Sequence, residues 1–350
     1  MDEKSLWTRR RLLKAAAGAV LAGGALAAGG WSLLRLGRNL YQVRRERTLM
    51  QTSVSVTALA DDVEAAHRGI EAAFAAMVAA TATLTRFDAR SPLARLNREG
   101  RLDDPPPMLR AVLARAHEIA ERSEGDFDAT VAPVLDYYYA QPRPIVLSAA
   151  DRGAVAARER VVGFRHVEMD AAGIRFLRSG VALTLDGIAK GYVVDQGIAA
   201  LRRAGIEDAL IDAGGEVRAI AGADPERRWN VGIVDPQRSG RIAAVVELRN
   251  AALSTSGNYE VYFSADRRLF HIIDPHTGYS PDRYSSVTVM GALSMDTDAA
   301  SVAAFSMELP RLAAFADGLD QQWLAFSWDG ATRWHSRDLP LVSGEARAFG

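Results

Sequence analysis

The chain has 350 residues, 49% of them apolar, enough for one large domain or two modest ones with a buried core. Its 42 basic and 43 acidic side chains nearly cancel, which argues against a polyanion-binding surface. Cysteine is absent, so disulfides, thiolate metal sites, cysteine nucleophiles and a lipid-modified cysteine are excluded, and any metal must be held by oxygen or imidazole.

At the N-terminus Arg9, Arg10, Arg11 and Lys14 stand directly before an apolar run rich in Ala, Gly and Leu. The order of residues in "TRRRLLK" resembles a twin-arginine export signal, and the small residues Ala25, Ala27 and Ala28 suit peptidase cleavage. The alternative is a single membrane anchor, but the run is only weakly hydrophobic. An uncleaved signal would tether the protein facing the same compartment, the periplasm. Residues 1–45 are set aside as signal or anchor and linker, and residues 46–350 are expected to form one domain.

Within that domain "TSVSVTALA" (52–60) alternates as a half-buried strand does. From Asp62 to about Thr83, the residues Ile70, Phe74, Met77, Val78 and Thr81 recur at helical spacing and predict an inward face. A second helix is predicted from Pro107, with Leu109, Val112, Leu113, Ala116 and Ile119 inward. The run "DYYY" (136–139) reads as a helix end, and "RHVEMDAAGIRFLR" (165–178) as a hairpin about Gly173. Residues 181–205 predict a strand running into a helix that stops at Gly205. Short strands follow within 208–215, 215–222, 229–236 and 243–250, and the glycine pair of "DAGGEV" allows a tight passage between the first two. The last third predicts a strand in "FHIIDP" (270–275), another at 285–292, a helix from about Asp296 to Met307 ended by Pro310, and a hairpin turning on Asp329-Gly330. Helices early and strands late, without a repeat, predict an α+β fold class with antiparallel or mixed sheets and packed helices in a single unit.

No nucleotide-binding glycine loop of the G-x-G-x-x-G or G-x-x-x-x-G-K-[ST] kind is present. Five other motifs occur in order: "SEGDFDATVAPVLDYY", "TLDGIAKGYVVDQGIAALRRAGIEDALIDAGGEVRAIAG", "ALSTSGNYEVYF", "HIIDPHTGYSP" and "SVTVMGALSMDTDAASVAAFSM". Together they resemble the ApbE family, the FAD:protein FMN transferases, over roughly residues 48–310. The "TL-x-GIA-x-GY" form beside a twin-arginine signal resembles most the NosX-like branch. The resemblance implies a transferase that binds FAD and Mg2+ and moves FMN onto a Thr or Ser hydroxyl of an exported or membrane flavoprotein, such as a NosR-like or another electron-transfer protein, with release of AMP. Such a phosphoryl transfer needs a divalent cation, a base near the attacking hydroxyl and donors around the phosphate oxygens. The alternatives from the same sequence are a Mg-dependent FAD pyrophosphatase and a catalytically inactive flavin-binding or assembly protein.

The resemblance also implies site residues. Gly187 matches a main-chain metal ligand and Asp298 a metal-binding aspartate, while Val302 stands where the family has a threonine, so Ser301, Asp296, Thr297 or waters would have to supply the missing oxygen. His271 matches the histidine of "H-x-x-DP-x-TG" and is the expected base, with Asp298 able to share that role. Met50, Phe87, Asp126, Phe127 and Asp128 match positions that border the flavin or adenine. Gln51 replaces the usual glycine after that methionine. Thr184 stands where many members have aspartate, with Asp186 two residues on; Lys190 is either a phosphate partner or a solvated helix residue. Ser254, Thr255, Ser256 and Gly257 are expected to form a polar turn near the diphosphate. His276 is read as a surface or substrate-contact residue.

Overall fold

The computed structural model describes residues 30–222, 224–238, 240–343 and 347–349, so the expected export signal falls outside the described residues. No helix among the described residues is long and apolar enough to cross a membrane. Strands β1 (Trp31–Arg35), β2 (Tyr41–Leu49) and β3 (Thr52–Ala60) form an antiparallel meander, and the sheet therefore begins before residue 45. Helix α1 (Val63–Leu84) starts on Asp62, whose carboxylate accepts from the N–H groups of Glu64 and Ala65. Next come α2 (Pro92–Glu99), β4 (Arg101–Asp103), α3 (Pro107–Arg122), α4 (Ala132–Ala140) and α5 (Ala149–Glu159). Strands β5 (Val167–Met169) and β6 (Gly173–Phe176) make the predicted hairpin, and α6 (Ala189–Arg203) follows. The rest comprises β7 (Asp208–Asp212), β8 (Glu216–Ile220), β9 (Trp229–Val234), β10 (Ile242–Leu248), β11 (Ala252–Gly257), β12 (Tyr284–Gly291), α7 (Ser294–Ala304) and α8 (Leu309–Asp317). Strands β13 (Gln322–Ser327), β14 (Arg333–Ser336), β15 (Leu341–Ser343) and β16 (Arg347–Phe349) close the chain.

One sheet of ten strands, in the order β1-β2-β3-β7-β8-β11-β12-β13-β14-β16, carries the molecule; two sheets of three strands, β15-β10-β9 and β4-β6-β5, flank it. On one face α1 and α6 lay Ile70, Phe74, Met77 and Ile198 against Val54 and Val56. The opposite face is covered by β9 and β10, whose Trp229, Ile233 and Val246 meet Leu59, Leu210 and Val217. Because both faces are covered, Ser55 and Thr57 are as deeply buried as their apolar neighbours, and β3 is not the half-buried strand that its alternation predicts.

Other expectations are corrected. Residues 181–185 are mostly buried but join no sheet; only the helix of that prediction is present. "FHIIDP" makes a single bridge, Tyr262 to Phe270, before turning away. Residues 254–257 are the C-terminal part of β11, paired throughout with β12 and at Ser254 also with β8, instead of a turn. Pro310 lies in the first turn of α8, where its missing N–H costs nothing, and α7 has already ended at Ala304. Val78 is 51% exposed, on the solvent edge of α1.

Helices α6 and α7 cross in close contact at Gly191. A Cβ on Gly191 would stand 2.1 Å from the Ser294 carbonyl oxygen, so only glycine fits there. Neither helix has a side-chain cap from its own N-cap residue, Ile188 or Leu293. Each is capped by the other instead. Asp298 on α7 accepts from the Gly191 N–H at 3.0 Å, and Asp195 on α6 accepts from the Ser294 and Met295 N–H groups at 3.0 Å each. Asp195 is also ion-paired to Arg218 of β8, and both side chains are nearly buried. Asp195→Ala should therefore strip two caps and strand a buried guanidinium, lowering stability by about 3 kcal/mol or more in urea unfolding.

Candidate functional site

The crossing gathers charge at the first turn of α6. Lys190 Nζ lies 2.7 Å from Glu216 Oε2, and Asp298, on the facing helix, is close enough for each of the two to shift its ionisation. Gly187, in the turn that feeds α6, is in contact range of α7: a Cβ there would lie 3.1 Å from Val302 Cγ2 and 3.5 Å from Phe127 Cε2. Gly187, Asp298 and Val302 thus share one corner, with Asp298 and Val302 one helical turn apart. Asp186, at the rim, is held by Arg86, whose Nε donates at 3.3 Å.

His271 reaches the same locality from the loop after the Tyr262–Phe270 bridge. Its backbone N–H and its Nδ1 both approach the Val261 carbonyl, at 3.0 and 3.2 Å. A proton on Nδ1 suits that contact and leaves the Nε2 lone pair free. Burial, aided by the Lys190 charge and opposed by the Val261 bond, holds the imidazole below its usual 6.5, so it is neutral at pH 7. Asp274 stiffens the loop by accepting from His276 N–H at 2.9 Å and from the Thr277 hydroxyl at 3.1 Å. Tyr138, in the "DYYY" helix, donates to the Gly278 carbonyl at 2.8 Å.

The carboxylates are strongly perturbed. Burial, then the neighbouring Glu216 charge, pushes Asp298 up to about 8 against the pull of Lys190 and the Gly191 N–H. Burial also raises Glu216 and Asp212, and Asp212 is near enough to raise Glu216 further. Glu216 raises Lys190 against its burial, so the ammonium stays charged. Two buried carboxyls, Glu216 and Asp298, share one ammonium, with Asp212 behind Glu216, and make a corner with room for added positive charge. Among the described residues no group of three or more His, Cys, Asp or Glu side chains could hold a metal. Magnesium needs no such cage, since it keeps waters and is commonly held by one or two carboxylates plus substrate phosphates. Asp298 and the Gly187 main chain fit that type of site; Val302 contributes only methyl groups.

The three side chains that could replace the missing oxygen are engaged elsewhere. Ser301 Oγ pairs with Ser256 Oγ at 2.8 Å and donates to the Asp298 carbonyl. Thr297 Oγ1 pairs with Ser254 Oγ at 2.8 Å, and Asp296 is bridged to Arg115. These hydroxyl pairs fasten α7 to β11, which is what the serines of "ALSTSG" do. Thr255, one residue out of phase, pairs with Thr288 on the other face.

Of the remaining flavin candidates, Phe127 lies against Gly187, and Phe87 is 66% exposed with the Arg86 guanidinium 4.6 Å from its ring centre. Thr184 accepts from the Asp186 N–H at 3.2 Å and so shapes the turn. Met50 and Gln51 form the β2–β3 hairpin turn, both at positive φ, 53° and 61°. Non-glycine residues held there mark a constrained turn. That turn abuts the Gly214-Gly215 passage, where a Cβ on Gly214 would meet Thr52 Oγ1 at 2.3 Å. Asp126 and Asp128 have their side chains engaged within the protein: Asp126 with His276 and Arg311, Asp128 with Thr130 and the Phe164 N–H. Glu216 and Asp195 are not singled out by the sequence, since an acid within a strand or a helix carries no local mark of the partner it meets in the fold.

A neutral histidine, a charged lysine and buried carboxyls around a helix N-terminus are the parts a phosphoryl-transfer site requires. More particularly, the chain belongs to the ApbE family, whose model matches residues 50–326. It is 29% identical to the FAD:protein FMN transferase of Haemophilus influenzae over 253 residues, covering 69% of this chain and 72% of that one. It is 36% identical to that of Rhodobacter capsulatus over 216 residues, covering 59% of this chain but 40% of the relative. Among solved structures, the ApbE protein of Thermotoga maritima superposes with a TM-score of 0.77 at 26% identity, covering 85% and 97% of the two chains. The flavin transferase ApbE of Vibrio cholerae shares the fold with a TM-score of 0.69 at 24% identity, covering 82% and 93%.

Since the folded value of Asp298 lies above its unfolded one, the stability it confers is present at low pH and lost as pH rises from about 4 to about 8. In metal-free protein Asp298→Asn, which keeps an acceptor for Gly191 but cannot ionise, should gain on the wild type across that window. At pH 8 the gain in urea unfolding should exceed about 1 kcal/mol, and at pH 4 it should vanish.

Proposed function

We propose that this chain is a FAD:protein FMN transferase that acts with Mg2+ on an exported or membrane electron-transfer flavoprotein. The observation that carries the reading is the convergence of His271, Lys190, Asp298 and Gly187 on the first turn of α6. Asp298 and the Gly187 main chain would hold the cation, which neutralises diphosphate charge when bound. Lys190 would meet a phosphate oxygen, and the exposed Phe87 offers a flat face to a ring system. His271 Nε2 takes the proton of the acceptor hydroxyl as its oxygen attacks the FMN-side phosphorus; the bond to the AMP phosphate breaks, and AMP leaves with the electron pair. The names of the curated relatives support the activity. The twin-arginine-like N-terminus supports periplasmic location, and with "TLDGIAKGY" it supports a NosX-like branch and a NosR-like acceptor.

Incubation with FAD and magnesium tests this directly. Transfer requires that AMP appear only with an acceptor domain present and that the acceptor gain the mass of an FMN phosphoester; AMP without acceptor would mark a pyrophosphatase. His271→Ala and Asp298→Ala should each lower the rate at least about a hundredfold in folded protein. With wild-type protein the rate should fall along an acidic limb below pH 6.5, as His271 takes up a proton. Val302→Thr adds an oxygen beside Gly187 at almost constant shape, and should lower the magnesium concentration giving half-maximal rate.

A further inference from the structure

Glu216 opens β8 in register with Ser254, and that pairing aims its side chain at the face under α7. It is 3% exposed, and its partner is Lys190 Nζ at 2.7 Å, the one hydrogen-bond partner of that ammonium among the described residues. Burying an acid is costly, and an acid at this depth is retained against that cost. Lys190 sits on a flexible four-carbon stem, and the other buried carboxyl near it is Asp298. Without Glu216 the ammonium would be free to turn onto Asp298, withdrawing both groups from a ligand at the α6 N-terminus.

We propose that Glu216 is a positioning residue: it holds Lys190 beside the first turn of α6, facing the FAD diphosphate, and keeps it from closing on Asp298. The proposal rests on the FAD reading given above. Two effects of Glu216 on FAD binding have opposite signs. Its own charge repels a diphosphate through space, whereas the lysine it places attracts one. Positioning requires that the second dominate.

Flavin fluorescence titrations without metal decide this, with FAD and riboflavin as probes, since only FAD carries the diphosphate. Glu216→Gln, isosteric and neutral, should weaken FAD binding about tenfold while riboflavin binding is unchanged. The double variant with Lys190→Met, a neutral pair of similar shape, should bind FAD no more weakly than Lys190→Met alone and should keep the wild-type melting temperature. Tighter FAD binding by Glu216→Gln, parallel loss of riboflavin, or effects that multiply in the double variant would each overturn the proposal. Should Glu216→Gln be too unstable to titrate, Glu216→Asp keeps the charge one methylene short of Lys190, and should lose FAD affinity alone. Wild-type protein that binds FAD no better than riboflavin would overturn the FAD reading itself, and this proposal with it.

Discussion

Two helices that cap each other organise the centre of this protein. Asp298 closes the N-terminus of α6 and Asp195 closes that of α7, so neither helix start is complete without the other. The exchange demands a close crossing, and Gly191 supplies it. It also fixes where Asp298 stands relative to Lys190, Gly187 and Glu216, because all four are read from one pair of helix ends and the strand beneath them. The hydroxyl pairs Ser254–Thr297 and Ser256–Ser301 lock the same helix to β11.

That arrangement makes the site electrostatically unfinished. A capping aspartate at a surface helix would be ionised and cheap; here burial and Glu216 make its charge costly, with one ammonium shared between the two buried carboxyls. A cation brought in with a diphosphate relieves both partners at once. The neutral imidazole of His271, oriented by the Val261 carbonyl, lies close enough to feel Lys190 and Asp186. Structure and the proposed chemistry are therefore joined at one group, Asp298, which holds the helix and would face the ligand.

Much of the fold was legible because its signals are local. The strands at 208–220 and 284–291, the hairpin on Asp329-Gly330 and the inward face of α3 follow from alternation, turn residues and helical period. What escaped depends on tertiary cover. The small polar residues of β11 look like a turn until a helix is seen to bury them through paired hydroxyls, and the apolar "FHIIDP" is buried by loop packing instead of by sheet pairing. In the site, the motifs led to Gly187, Lys190, His271 and Asp298, which the fold brings together. They could not show that Ser301, Thr297 and Asp296 point away, since facing on a short helix depends on what covers each side. Glu216 went unmarked because a lone acid in a strand gives no local sign of an ammonium 26 residues away in sequence.

The central claim is that a cation held through Asp298 and a diphosphate occupy one corner. Replacing magnesium with paramagnetic Mn2+ and recording the 31P spectrum of FAD bound to the protein tests it most directly. The account predicts strong broadening of both phosphorus resonances with wild-type protein and its loss on replacing Asp298 with alanine. Sharp phosphorus lines from FAD bound to the wild type, with Mn2+ present at saturating concentration, would contradict it.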